Sequence, residues 1–97
     1  MVSVNEHPET QIDVSIFPNP SSDVLNIKIS NIGEDKTFVE LYDLVGQRLN
    51  YKELTTSSRQ TAECSFEMGL YATGTYFLRV TAGENFSEVY KIVKINQ

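Results

Sequence analysis

The nine residues Gly74-Thr75-Tyr76-Phe77-Leu78-Arg79-Val80-Thr81-Ala82 decide the fold of this chain. Tyr76, Leu78 and Val80 alternate with Phe77, Arg79 and Thr81. A period of two built from β-forming residues is the pattern of a half-buried strand. The glycine before the tyrosine adds a second cue. In two-sheet sandwiches a tyrosine just inside a strand folds back to hydrogen-bond an upstream carbonyl across a corner.

The same period recurs on both sides of this segment. Ile12, Val14 and Ile16 alternate with polar residues, as do Leu25, Ile27 and Ile29, then Val39 and Leu41, then Leu49 and Tyr51, then Cys64 and Phe66. The run from Phe86 to Ile95 is rich in β-branched and aromatic residues, with either parity possible. No window long enough for a helix carries a helical period. The spacing predicts seven strands, at 12–17, 24–30, 37–43, 47–53, 62–67, 74–82 and 86–95. These imply an all-β fold, a seven-stranded antiparallel immunoglobulin-like β-sandwich, with a five- or six-stranded barrel as the alternative.

Turn chemistry separates the strands. Pro18 and Pro20 each remove a ladder donor, so Phe17-Pro18-Asn19-Pro20-Ser21-Ser22-Asp23 is not a central strand. Asn31–Lys36 reads as a polar hairpin loop. In Asp43-Leu44-Val45-Gly46 the aspartate can accept from the following amides and the glycine can take positive φ. Ala82–Asn85 closes the last hairpin, and residues 54–61 form a longer polar crossover. Residues 1–11 lack any sustained period and read as a flexible tether from an upstream cargo domain, with 12–97 as the sandwich. Met1–Glu6 has neither a basic start nor an apolar middle, so no secretory signal is expected there.

Composition narrows the function. The chain has 97 residues, 40% of them hydrophobic, which suits one domain with a compact core. Thirteen acidic residues against 8 basic give a net charge of −5. Residues 1–48 hold 3 basic and 8 acidic groups and residues 49–97 hold 5 of each, so neither half is a basic patch for nucleic acid. No run approaches the roughly 20 apolar residues of a spanning helix, and no basic amphipathic segment suits a membrane surface, so direct membrane insertion is not expected.

Catalytic groups are hard to place. His7 falls in the tether, whereas a general base needs a fixed position. Cys64 is the sole cysteine. It excludes an internal disulfide and a cysteine metal site, and with no cationic neighbour in sequence it reads as a small core residue. The carboxylates Glu34-Asp35, Glu40 with Asp43, and Glu63 with Glu67 read as loop, turn and outward strand positions rather than metal ligands. Phe38, Tyr42 and Phe77 face outward if Val39 and Leu41 face inward. Neither an enzyme nor a cofactor or metal is therefore expected.

Four segments, in order, resemble the type A C-terminal sorting domains of the type IX (Por) secretion system. They are Phe17-Pro18-Asn19-Pro20-Ser21-Ser22-Asp23-Val24-Leu25, then Val39-Glu40-Leu41-Tyr42-Asp43-Leu44-Val45-Gly46-Gln47-Arg48-Leu49, then Gly74–Val80, then Lys91-Ile92-Val93-Lys94. The resemblance covers residues 14–95. The chain departs from it mildly, in Ile95-Asn96-Gln97 past the closing lysine and in the polar crossover at 54–61. It implies a non-enzymatic domain that directs a larger protein through the periplasm and across the outer membrane to the cell surface. The implied partners are the outer-membrane translocon, a surface sortase that cuts near residues 1–11 and attaches the cargo to an anionic lipopolysaccharide, and the covalently linked cargo itself. Carried residue by residue, Pro18, Asn19, Pro20, Lys91 and Lys94 are the implied recognition residues, and Asp43, Gly46, Gly74 and Tyr76 the structural ones. The basic groups are the expected contacts for acidic partners, and a free last strand is a possible edge for strand addition. The alternative function is an accessory module binding carbohydrate or protein on its aromatic face; an inert spacer is a third reading.

Overall fold

The computed structural model describes residues 12–32, 36–55, 61–83 and 86–96. Among these it contains seven strands and no helix. The strands are β1 (Asp13–Phe17), β2 (Val24–Ser30), β3 (Thr37–Tyr42), β4 (Arg48–Leu54), β5 (Thr61–Glu67), β6 (Gly74–Ala82) and β7 (Phe86–Lys94). One sheet has the order β1-β2-β5 and the other β4-β3-β6-β7, with every strand pair antiparallel. In the constant-type immunoglobulin order the fourth strand joins the first sheet; here β4 stays beside β3.

The period of two produces the core directly. Leu25, Ile27 and Ile29 of β2 and Phe66 of β5 meet Val39 and Leu41 of β3, Leu78 and Val80 of β6, and Ile92 of β7, all buried in one cluster. Each such side chain contributes about 1.5–3 kcal/mol by leaving water. Ile12, Val14 and Ile16 pack on its margin, as does Cys64.

Two expectations fail for identifiable reasons. β2 and β3 do not form the expected hairpin: β2 pairs only with β1 and β5, and β3 only with β4 and β6, in different sheets. Leu49 and Tyr51 do not share a face. The register shifts between Leu41 and Tyr42, whose partners are Asn50 and Arg48, so Leu49 is an extra residue in β4. That bulge reverses the alternation after it. Tyr51 pairs with Glu40 and turns outward, while Lys52 pairs with Val39 and turns inward.

Lys52 then closes one open side of the sandwich. Its Nζ donates to the Ser65 carbonyl of β5 and lies 5.3 Å from the centre of the Phe66 ring. An inward-pointing charge at a sheet edge discourages pairing with another chain. Residues 1–11, the proposed tether, lie outside the described residues, as do Glu34-Asp35 and 84–85.

Candidate functional site

The strand directions place four of the sequence motifs at one pole of the sandwich. β1 ends there, the 43–46 turn joins β3 to β4 there, residues 68–73 link β5 to β6 there, and β7 ends there. Residue 12, where the chain enters β1, lies at the opposite pole.

Segment 18–21 runs alongside the last residues of β7 and supplies the hydrogen bonds of a missing strand. Asn19 Nδ2 donates to the Lys91 carbonyl at 3.0 Å, and the Val93 amide donates to Asn19 Oδ1 at 3.1 Å. The Ser21 amide donates to the Val93 carbonyl, and the Ile95 amide to the Ser21 carbonyl, both at 2.9 Å. Asparagine suits the first position because a carboxamide offers one acceptor and a donor group, as a peptide does. The prolines flanking Asn19 need no amide partner, so they cost the segment no ladder bond. Both the Phe17–Pro18 and Asn19–Pro20 bonds are cis.

Residues 91–95 are therefore not a free edge. Over this end of the last strand the edge expected for strand addition is occupied by the chain's own residues 19–21, because four outward backbone groups there are already paired. Ser21, not singled out by the sequence, is fully buried, and its hydroxyl faces the Val24 carbonyl at 3.3 Å. Nothing in a Pro-Ser-Ser string marks which serine is buried.

The two lysines separate. Lys91 pairs with Phe77 in register and is exposed on the outer face. Lys94 shares the inward parity of Ile92 and is only 5% exposed, between Ser21 and Gly74 in register. A long alkyl stem lets a lysine cover apolar surface in this way. The pairing of both lysines as surface contacts does not match this burial.

The structural motifs occupy the same pole. Asp43 Oδ1 accepts from the Val45 amide at 3.0 Å and the Gln47 amide at 2.9 Å, and Gly46 has φ of 92°. Tyr76 donates its hydroxyl to the Ala72 carbonyl at 2.5 Å, the predicted corner, with the Tyr71 ring 5.8 Å away. Gly74, at φ 148°, opens β6 where a side chain would be strained.

The outer face of the four-stranded sheet was the other candidate. Phe38, Tyr42 and Phe77 do face outward but are half-buried. Arg79 lies over the Tyr42 ring at 5.4 Å and Arg48 over Tyr51 at 4.4 Å, though Tyr51 stays half exposed. Glu40 binds this layer together: Arg48 Nη1 and Tyr42 Oη each lie 3.1 Å from its Oε2. Glu40 is thus a hub on a central strand, not an edge charge. Phe38, Glu40, Arg48, Tyr51 and Thr81 line a shallow depression of about 320 Å³ there. Its one lining arginine, Arg48, is committed to Glu40.

Burial pushes the Cys64 thiol above its ordinary value, an effect Lys52 partly offsets. The cation was invisible in sequence because it comes from a different strand. Among the described residues no group of His, Cys, Asp and Glu could hold a metal ion.

A family model described as a secretion system C-terminal sorting domain matches residues 15–96. No curated protein matches the chain. Among solved structures, dimeric latent PorU from Porphyromonas gingivalis matches with a TM-score of 0.69 at 23% identity, over 89% of this chain and 9% of that one. That likeness is one of fold, over a small part of the PorU chain. The family match spans all four motifs and nearly every described residue, and the chain belongs to the C-terminal sorting domain family of the type IX secretion system.

Proposed function

We propose that the surface where residues 18–21 meet the end of β7 is the address read by the outer-membrane translocon. A surface sortase then cuts within residues 1–11 and transfers the cargo to an anionic lipopolysaccharide. The family places this domain on proteins secreted through the outer membrane to the cell surface or beyond, through interaction with the secretion system. The domain acts as a label and performs no catalysis.

The observation that supports this reading is the clamp of four hydrogen bonds between residues 19–21 and 91–95. Pro18, Asn19, Pro20 and Lys91 come together only after both ends of the sequence have folded against each other. An address of that kind is legible on the folded domain and absent from the unfolded chain. Lys91 is the exposed cation of the set and meets an acidic group of the partner; Lys94 holds the pole together from inside.

The test fuses residues 1–97 behind a fluorescent reporter carrying an inner-membrane export signal, in a type IX-competent host. Surface fluorescence is expected in the competent host and absent from a translocon-deficient strain. Lys91→Glu should reduce it and Lys94→Met should not. Equal display in both strains would overturn the sorting role, and an undiminished Lys91→Glu signal would overturn the role given to that residue.

A further inference from the structure

Exposed apolar side chains are spread unevenly over this domain. Of the seven large hydrophobic residues exposed among the described residues, five lie at the clamp pole: Phe17, Leu44, Val45, Leu70 and Ile95. The other two, Tyr51 and Val89, are isolated in mid-strand. At the opposite pole the described exposed residues of the connections, Asn31, Lys36 and Thr55, are polar.

The positions within the pole are equally informative. Val45 is 86% exposed and Leu70 96%, and both sit in turns. A two-residue turn held by Asp43 and Gly46 needs no aliphatic side chain at its tip, since polar residues serve there equally well. The core gains nothing from Leu44, Val45 or Leu70. Exposed apolar side chains concentrated at one pole are the usual mark of an interaction surface. Leu44 and Val45 also form one wall of a depression of about 260 Å³, with Thr73, Gly74 and Tyr76 on the other side. It is large enough for one apolar side chain of a partner.

We infer that this pole is a docking surface for an apolar recess of a protein in the secretion machinery, which receives Leu44, Val45 and Leu70 and carries basic groups opposite Asp23 and Glu67 and an acidic group opposite Lys91. This rests on the sorting reading above and specifies where the partner sits. Charge selects a protein over a lipid surface. The pole exposes both signs, Asp23 at the start of β2 and Glu67 at the end of β5 but also Lys91 near the end of β7, and the whole chain carries −5. Anionic headgroups repel the two carboxylates and the net charge, whereas a protein recess can set a complementary group opposite each sign.

The experiment compares the combined substitution Leu44→Ser, Val45→Ser and Leu70→Ser with a control carrying Tyr51→Ser and Val89→Ser, in the same reporter fusion. Surface display of the pole variant should fall roughly tenfold or more, the loss expected from removing interface anchors, while the control stays near parental. Thermal unfolding of each purified chain should be nearly unchanged, since all the altered residues are exposed. If the triple variant is destabilised, Leu70→Ser alone provides the same readout. A photocrosslinker at position 70 should capture an envelope protein, and one at position 51 should not. Parental display of the pole variant, in a host whose translocon mutant still blocks the parent, would overturn the docking surface and leave the sorting role standing. Parental display in the translocon mutant would overturn the sorting role itself. Leu70-dependent sedimentation of the chain with phosphatidylglycerol or phosphatidylcholine vesicles would overturn the protein partner in favour of lipid.

Discussion

At the residue scale, Asn19 illustrates how one side chain substitutes for a strand. Its carboxamide gives a donor to the Lys91 carbonyl and an acceptor to the Val93 amide. Aspartate keeps the shape and the acceptor but loses the donor. Asn19→Asp should cost about 1 kcal/mol, the net worth of one hydrogen bond. For a domain of this size that lowers the thermal midpoint by roughly 4–8 °C, measurable by circular dichroism. Tyr76→Phe removes the hydroxyl that reaches the Ala72 carbonyl, leaving the ring buried. The same measurement should show a loss of about 1–2 kcal/mol, because that carbonyl is left without its partner. Cys64 gives the pH dependence. Its thiol is raised above 9.0 by burial, and the Tyr90 hydroxyl above 10.0 by burial and by Glu88. Both groups are neutral when protonated, so neither contributes a penalty at pH 7. As pH climbs past 9 the unfolded chain releases these protons more readily, and stability falls. Cys64→Ala should flatten the first part of that fall in denaturation curves taken between pH 8 and 10. An unchanged slope would remove Cys64 from the account.

At the element scale, two sides of the sandwich are closed by different devices. β7 is covered over its last residues by segment 19–21. On the opposite side, Lys52 of β4 reaches across to the Ser65 carbonyl of β5. Lys52→Met keeps the stem over Phe66 but leaves that carbonyl and the strand edges without a charged guard. Size-exclusion chromatography with light scattering should then show concentration-dependent association that the parent lacks. A monomeric variant at every concentration would mean that Lys52 serves packing alone. The arrangement depends on the bulge at Leu49. Without that extra residue, Tyr51 would enter the core and Lys52 would face water. Simple alternation placed Leu49 and Tyr51 together because a period-two pattern contains no signal for an inserted residue.

At the scale of the whole molecule, the two ends of the sequence complete each other. Ile92 is fully buried and residues 91–95 hold segment 19–21. Truncation after Tyr90 should therefore abolish cooperative thermal unfolding, as a large core side chain and the clamp are lost together. A truncated chain that still melts in one sharp transition would show that the clamp is dispensable. For the same reason, loss of export after such a truncation reports unfolding as much as lost recognition. Substitution of the exposed Lys91 separates the two.

The amino-acid sequence determined the strands. All seven end within a residue of the positions given by alternation alone, since burial on one side of a pleat imposes that period wherever it occurs. It also determined the Asp43–Gly46 turn and the Tyr76 corner, which need only neighbours in the chain. Tertiary structure decided the rest. It sent β2 and β3 to different sheets, brought Lys52 beside Cys64, buried Lys94 and left Lys91 outside. It also joined Asn19 to residues 72 and 74 positions further along. Local residue patterns carry information about which side of a strand faces inward. They carry none about which strand edge lies across from it, because that is fixed only when two sheets close over a shared core.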